Sequence, residues 1–483
     1  MKQHQVLLFI LGVFALLGIA WAAFPADGVT VAGVSLRFLS YAESLERANE
    51  KKVDVDSVLN SVGRSFTLAE ADTLSYYKAF FRDNPDRIFL PGDDVTWFDG
   101  LFADFEQARA RKKTYRVVHY GDSQIEMDRM SSELREALQQ RFGGLGTGMF
   151  PAMGGVPSSS ISHSAAGAMS HYAMYGDSTA VRAPHRRYGV MAQLSQLWGP
   201  ATVSFRTSSA STALEHTKTF SRVSVLAGNF PEELTVSLQA DTFRLKPYVL
   251  PKDSLGVRWI GWDLPRPVGK ASLRFSGPAE LYGIAVDAAE GGVAVDNAPL
   301  RGCDGTIFTR ISPETLKRSY ALDDTRLIIL QFGGNAVPYL RPGKSLSQYV
   351  QQIGEQLDAL HEAAPQARIL FIGPSDMSRS VNGRMESYPH LPEIVDSLKT
   401  TVLAHGDAFW DMFHVMGGLQ SMPRWVAHNP AYAGPDYIHF TSKGARIMGE
   451  TLARTLMVYY DFYDLRKKIG DRKALTFLKK EDE

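Results

Sequence analysis

The stretch Tyr115-Arg116-Val117-Val118-His119-Tyr120-Gly121-Asp122-Ser123 is the most informative part of this chain. Its first six residues are mostly β-branched or aromatic and predict a strand. Apolar residues then recur every four positions before Gly143 and predict a helix: Met130, Leu134, Leu138 and Phe142. Ser123 therefore stands on a predicted strand-to-helix turn, which suits a nucleophile whose own N–H helps to bind an oxyanion. Gly-Asp-Ser is also an ordinary turn sequence, so the rest of the chain must decide its meaning.

The same alternation of strand and helix continues in the second half of the chain. The candidate strands are 115–120, 326–332, 368–372 and 408–411. The candidate helices are 128–142, 346–361, 392–403 and 442–460. Strands alternating with helices of this length predict an α/β domain whose parallel sheet is covered by helices on both faces.

The middle of the chain breaks this alternation. Short alternating runs separated by turn residues predict an all-β sandwich over 156–295, inserted into an α/β domain formed by 113–155 and 296–465. Amphipathic stretches within 25–112 are interpreted as a helical spacer, and 466–483 as a charged tail.

Three segments downstream carry the side chains that ester chemistry requires. Asp436 and His439 stand on a predicted loop with two residues between them, and a serine nucleophile needs a histidine base oriented by a carboxylate. Asn335 directly follows a predicted strand, and Gly302 opens the segment after the insert. An amide side chain and a backbone N–H at these positions are candidate donors to an oxyanion beside Ser123.

These blocks, in this order, resemble those of SGNH/GDSL hydrolases. The resemblance covers about 113–155 and 295–460 and implies a three-layer, flavodoxin-like α/β/α fold. It assigns Ser123 as the nucleophile, Asp436 and His439 as the other triad members, and Ser123, Gly302 and Asn335 as the oxyanion hole. The glycine block is the least specific, and Gly146 and Gly148 are alternatives to Gly302. Ala336 departs from the acidic residue that many family members have after the asparagine.

Other polar and aromatic residues have simpler explanations. Cys303 is an alternative nucleophile but is better explained as a small buried residue, and His119 as a packed strand residue. Trp259 and Trp262 lie on opposite faces of a predicted strand, so at most one of them faces a ligand. Two aspartates after strands either line the crevice or cap helices and turns: Asp376 and Asp411. No histidine or cysteine spacing indicates a metal, and no cofactor is predicted.

Composition and charge restrict the other classes of function. Of 483 residues, 45% are hydrophobic and 22% are charged, which is typical of a folded protein. The formal net charge is zero, so no overall basic field predicts binding to nucleic acid. A single cysteine excludes an intrachain disulfide.

The N-terminus predicts export. Lys2 precedes an uncharged apolar run over 6–24, long enough to cross a bilayer, so 1–24 is interpreted as a signal anchor or signal peptide. An uncleaved anchor is favoured, although Ala20-Trp21-Ala22 resembles a cleavage site. We therefore expect a periplasmic or other extracytoplasmic domain held at the cytoplasmic membrane.

The layout of the blocks around a β insert resembles that of exported peptidoglycan and polysaccharide O-acetylesterases. It implies a serine esterase that removes O-acyl groups, in particular O-acetyl groups, from a glycan. One alternative is an O-acyltransferase that uses the same triad with a membrane partner. A second alternative is a non-catalytic glycan-binding protein.

Overall fold

The computed structural model describes residues 29–31, 34–36, 70–176 and 181–479. The chain divides into two units, Met1–Ser57 and Val58–Glu483. In the first unit the described residues form an antiparallel hairpin of β1 (Val29–Val31) and β2 (Val34–Leu36).

The predicted membrane segment, 6–24, lies outside the described residues, so the anchor stays a prediction. In the ranges that the structure describes, no helix is both long enough and apolar enough to cross a bilayer.

The second unit contains the remaining described elements. Its strands are β3 (Ile88–Phe89), β4 (Thr114–Gly121), β5 (Gly148–Phe150), β6 (Ile161–Ala173), β7 (Gln193–Thr207), β8 (Phe220–Phe230), β9 (Leu234–Ala240), β10 (Phe243–Arg244), β11 (Tyr248–Leu250), β12 (Asp253–Val268), β13 (Lys270–Ser276), β14 (Ala279–Asp287), β15 (Gly292–Pro299), β16 (Thr325–Gln331), β17 (Arg368–Ile372), β18 (Ser378–Val381), β19 (Arg384–Ser387) and β20 (Ala408–Trp410). Its α-helices are α1 (Glu70–Asp83), α2 (Asp99–Gln107), α3 (Ser131–Phe142), α4 (Pro313–Leu322), α5 (Lys344–Ala363), α6 (Leu391–Ala404), α7 (Met412–Val415), α8 (Ser421–Ala427), α9 (Ser442–Ile469) and α10 (Asp471–Lys479).

A six-stranded sheet with the order β15-β4-β16-β17-β20-β3 forms the centre of the α/β part. Its first five strands are parallel and β3 is antiparallel at the edge. β4 and β16 are buried almost throughout, as central strands covered on both faces must be. Helices α3 and α9 pack together with α3 against β15, and α4, α5 and α6 form a second packed group. The predicted α/β/α architecture with a parallel sheet is confirmed.

The register of this sheet brings three predicted functional loops to one edge. Pro299 at the end of β15 and Gln331 at the end of β16 both pair with Gly121, the last residue of β4. The loops that carry Gly302 and Asn335 therefore leave the sheet on either side of the turn that carries Ser123. Ligands of open α/β sheets bind at this carboxyl edge.

The prediction of a spacer over 25–112 is wrong for residues 70–112, and the prediction of a tail over 466–483 is wrong for 466–479. β3 extends the main sheet by pairing with β20, and α2 packs on α9. α10 packs on α1. Ala474 of α10 and Phe462 of α9 form a small core with Leu74 and Tyr77 of α1. The amphipathic pattern predicted helices here, but it contains no information about the surface that each apolar face covers.

The all-β insert is confirmed as an antiparallel region, and its strands are linked into a single sheet. The order is β10-β9-β13-β7-β14-β8-β12, with β11 on β9, β6 on β7 and β5 on β14. The two ends of this path meet, because Trp262 Nε1 donates to the Lys246 carbonyl at 2.9 Å and the Tyr248 hydroxyl donates to the Gly261 carbonyl at 2.8 Å. The two layers predicted as a sandwich are thus parts of one sheet that encloses its own apolar core.

A buried ion cluster joins the insert to the parallel sheet. Arg116 of β4 donates to Asp296 of β15 at 2.9 Å and to Asp287 at the end of β14, and all three side chains are at most 2% exposed. Asp296 also accepts the Met149 N–H of β5 at 2.7 Å. The Arg116 guanidinium lies 5.0 Å from the ring centre of Trp259 in β12. Arg116 therefore connects the central sheet with two strands of the insert, β14 and β12, and Asp296 connects it with β5.

We expect Arg116→Met to lower the free energy of unfolding by about 3–5 kcal/mol, because it leaves two buried carboxylates without their cation. Denaturant unfolding followed by tryptophan fluorescence measures the loss. The control is Arg266→Met, whose ion pair with Asp241 is largely exposed, and it should cost less than about 1 kcal/mol. Equal losses in the two variants would show that the buried cluster does not hold the domains together.

Candidate active site

A cavity of about 560 Å³ opens at the carboxyl edge of β4 and β16. Four of the predicted site residues line it: Ser123, Gly302, Asn335 and His439. Asp436 stands behind His439. The structure thus brings together residues that the sequence separates by up to 316 positions.

Ser123, His439 and Asp436 form a continuous chain of contacts. The Ser123 Oγ atom lies 2.7 Å from His439 Nε2, and His439 Nδ1 lies 2.7 Å from Asp436 Oδ2. Both distances are those of good hydrogen bonds. The arrangement has the geometry required for a hydroxyl, a base and an orienting carboxylate.

The short loop between Asp436 and His439 sets this geometry. Asp436 Oδ1 accepts the N–H groups of Ile438 at 3.0 Å and His439 at 3.1 Å, and Tyr437 has a left-handed φ of 58°. Burial alone would raise the pKa of the Asp436 carboxyl. The hydrogen bonds from His439 and from the two backbone N–H groups outweigh burial and hold that pKa below its ordinary value. Asp436 is therefore a carboxylate at neutral pH.

The backbone N–H groups of Ser123 and Gly302 lie at the cavity and have no acceptor among the described residues. Gly302 has a φ of 76°, whereas a Cβ atom there would meet nothing closer than the Tyr175 ring at 3.9 Å. The backbone conformation, and not a lack of space, therefore favours glycine at this position. Both groups are available to a negatively charged oxygen.

Asn335 is already engaged within the protein. Its Nδ2 donates to Asp122 Oδ2 and to the Cys303 carbonyl, both at 3.0 Å. Burial raises the pKa of Asp122 to about 6, against the opposing effects of the Gln124 N–H, His439 and the Asn335 amide. To donate to a ligand, the Asn335 amide must weaken or share one of these two bonds.

Gln124, directly after Ser123, bonds to the loop 436–440, called here the histidine loop. The sequence contained no indication of this interaction. Its Nε2 donates to the Ile438 carbonyl at 2.7 Å, and its Oε1 accepts the Phe440 N–H at 3.2 Å. One side-chain amide thus bonds to the backbone on both sides of His439. The interaction is invisible in sequence because the partners are backbone atoms more than 300 residues away.

Arg129 makes a second connection between the serine turn and the histidine loop. Its guanidinium donates to the Ser123 carbonyl at 2.7 Å and to the Phe440 carbonyl at 2.9 Å. Arg301 forms a two-pronged ion pair with Glu126, which ties the loop of Gly302 to the same turn. The serine turn is therefore linked by side chains to both neighbouring loops.

The alternative residues lie elsewhere. Cys303 is fully buried, burial raises the pKa of its thiol, and its sulfur accepts the Gly305 N–H, so it is not a poised nucleophile. His119 is buried with its pKa lowered to about 4 by burial, and it bonds Gln331 and Ser131. Gly146 and Gly148 pack against backbone atoms of β14 and β15 rather than at the cavity.

The two tryptophans and two aspartates singled out in the sequence serve packing and capping. Trp262 is buried, and Trp259 is partly buried under Arg116, so neither forms an exposed platform. Asp411 caps α7 through the His414 N–H, and the buried Asp376 accepts the Met422 N–H.

No group of three His, Cys, Asp or Glu side chains in the described ranges has an arrangement suited to a metal ion. The absence of a cofactor stays a prediction.

Part of this chain is similar to a known protein family. Residues 278–447 match the profile of the GDSL-like lipase/acylhydrolase family. The match includes Gly302, Asn335, Asp436 and His439. Ser123 lies outside it, on the other side of the β insert. The part of the α/β domain within 278–447 is thus similar to GDSL-like lipases and acylhydrolases.

One solved structure shares this fold. A peptidoglycan O-acetylesterase aligns over 75% of this chain and 96% of its own with a TM-score of 0.59 at 19% identity, which shows a common fold. A carbohydrate esterase family 2 enzyme from Corynascus thermopiles aligns over 61% of this chain and 99% of its own at 13% identity, with a TM-score of only 0.26. The chain has no match in sequence among curated proteins.

We expect Gln124→Met to lower kcat for an aryl ester by about 30-fold, with a smaller change in KM. Two hydrogen bonds of about 1 kcal/mol each are lost, and His439 is released from its position. Steady-state kinetics measure both constants, and the melting temperature checks that the variant is folded. A change confined to KM would contradict a positioning role.

Gln124→Glu is the matched control. Its carboxylate accepts the Phe440 N–H but repels the Ile438 carbonyl, whereas its protonated form again donates there. We expect the ratio of variant to wild-type activity to rise as the pH falls from 8 to 5.5. A ratio independent of pH would show that the bond to Ile438 does not matter.

Proposed function

We propose that this protein is a serine esterase in which Ser123 is the nucleophile, His439 the general base and Asp436 the orienting carboxylate. The observation that carries the proposal is the unbroken chain of two 2.7 Å contacts, which ends in a cavity large enough for a small ester group. Serine is a weak nucleophile unless a positioned base accepts its proton, and His439 has the required contact.

In the first step His439 Nε2 accepts the Ser123 proton as Oγ attacks the ester carbonyl. The resulting oxyanion is stabilised by the N–H groups of Ser123 and Gly302, which have no acceptor among the described residues. The Asn335 amide joins them by sharing an N–H now donated to Asp122 or Cys303. His439 then gives its proton to the departing alcohol, which leaves an acyl-serine.

In the second step water replaces the alcohol. His439 removes a proton from the water, hydroxide adds to the acyl carbon, and Ser123 leaves with the proton from His439. The side chains of His439 and Asp436 are 37% and 49% exposed, so water reaches the base readily. This exposure favours hydrolysis over transfer to a second hydroxyl.

We extend the proposal to an O-acyl group, in particular O-acetyl, on a cell-envelope or exported glycan. The support is the resemblance in block order and insert to exported glycan esterases, together with the fold shared with a peptidoglycan O-acetylesterase. The apolar segment 6–24 supports action outside the cytoplasm.

We expect Ser123→Ala to lower the hydrolysis of an aryl acetate by about 10⁴-fold, because the nucleophile is lost. Release of the aryl alcohol followed by absorbance measures the rate. Ser132→Ala, nine residues further along, removes a hydroxyl that, among the described residues, bonds only the Arg129 carbonyl, and it should keep the wild-type rate. Equal rates for Ser123→Ala and wild type would refute the assignment.

Asn335→Ala should lower kcat about 100-fold with little change in KM, because an oxyanion donor acts mainly in the transition state. The same absorbance assay over a range of ester concentrations separates the two constants. A loss below about threefold would show that Asn335 does not stabilise the oxyanion, and that the N–H groups of Ser123 and Gly302 do so without it.

A further inference from the structure

A second cavity, of about 760 Å³, adjoins the one that contains Ser123. The two cavities share three residues: Gly302, Asn335 and Tyr339. A ligand that places an ester at Ser123 can therefore continue past the oxyanion donors into this space. A methyl ester or acetate group alone would not need it.

An aromatic side chain stands at the junction of the two cavities. Tyr339 is 81% exposed, the highest value among the large hydrophobic side chains that the structure describes as exposed. It ends the short helical turn Val337–Tyr339, four residues after Asn335. The insert contributes Tyr175 to the second cavity, next to Gly302. Rings held at the rim of a cleft offer apolar faces to a ligand whose edges remain polar.

The wall opposite is polar and comes from α5. Gln348, Gln352 and Glu355 lie on one face of the helix, at spacings of four and three residues. The side-chain amides of Gln348 and Gln352 have no bonding partner among the described residues. Each amide offers both donors and an acceptor, which suits hydroxyl and acetamido groups.

The charge of the second cavity restricts its ligand. The charged side chains that line it are Asp304 and Glu355, and no lysine or arginine belongs to its described lining. A ligand with several carboxylates would meet like charge here, whereas a neutral one would not.

We infer that the second cavity is a subsite for a neutral sugar residue that neighbours the acylated one, with Tyr339 stacking on its apolar face and Gln348 and Gln352 bonding its polar groups. The inference rests on the proposed function for the nature of the ligand. It adds that the substrate is a neutral oligomer rather than a polyuronate or an isolated ester.

Binding tests the inference without catalysis. The full chain carrying Ser123→Ala is titrated by calorimetry with neutral tetrasaccharides of β-1,4-linked N-acetylglucosamine or xylose, and with tetragalacturonate. We expect at least one neutral probe to bind and the anionic probe to bind at least about tenfold more weakly. Addition of Tyr339→Ala should weaken the neutral probe about tenfold, and Tyr339→Phe should restore most of that loss.

Trp198→Ala is the matched control, since Trp198 is another exposed aromatic residue, 61% exposed, in β7 of the insert. It should leave binding unchanged. No binding of any neutral probe at millimolar concentration, equal affinity after Tyr339→Ala, or preference for the anionic probe would each overturn the inference.

Kinetics separate this inference from the proposed function. Tyr339→Ala should lower kcat/KM for an O-acetylated xylo-oligosaccharide at least about fivefold more than for an aryl acetate. If Ser123→Ala still hydrolysed aryl acetate, only the assignment of Ser123 as the nucleophile would be refuted. The binding results would be unaffected. An unchanged ratio of the two substrates in Tyr339→Ala would refute the subsite alone.

Discussion

The contact between Ser123 and His439 depends on how one loop is held against another across 316 residues of sequence. A hydrogen bond of 2.7 Å tolerates only small displacements, and both side chains stand on turns rather than in regular elements. Gln124 and Arg129, which follow the serine, bind backbone atoms on both sides of His439. The residues just after Ser123 thus position the backbone on both sides of His439, and Asp436 contacts the histidine ring itself.

Sheet register provides the coarse alignment on which these bonds act. Because β15, β4 and β16 end level at Pro299, Gly121 and Gln331, their three loops begin side by side. The insert leaves this alignment intact, since it enters after α3 and returns directly into β15. A long insertion at the end of a helix costs little as long as both of its ends return to the sheet in register.

The sequence predicted the parallel sheet, the β insert and the residues that line the cavity, because periodicity and ordered motifs report local structure and chemistry. It did not predict the hydrogen bonds of Asn335 to Asp122 and Cys303. It also did not predict the two hydrogen bonds of Gln124 to the backbone around His439. Those contacts join residues that are far apart in sequence. Most of them involve backbone atoms, which are the same in every residue type and so leave no pattern in the sequence. The predicted spacer failed for a related reason. An amphipathic helix shows that an apolar face exists, and the aromatic surface of α9 that covers α2 is known only from the fold.

The insert is bonded to the central sheet and also contributes a side chain next to Gly302. Arg116 of β4 pairs with Asp287 at the end of β14 and lies over the Trp259 ring of β12, and Asp296 of β15 bonds β5. Tyr175, which follows β6, lies beside Gly302. Gly302, whose N–H has no acceptor in the described part of the chain, thus lies between the α/β domain and the insert. Removal of one partner of a buried ion pair costs several kcal/mol, so the loss of Arg116 would weaken the attachment of the insert to the central sheet. Because Tyr175 also lines the second cavity, the β region forms part of the wall of the space that adjoins the Ser123 cavity.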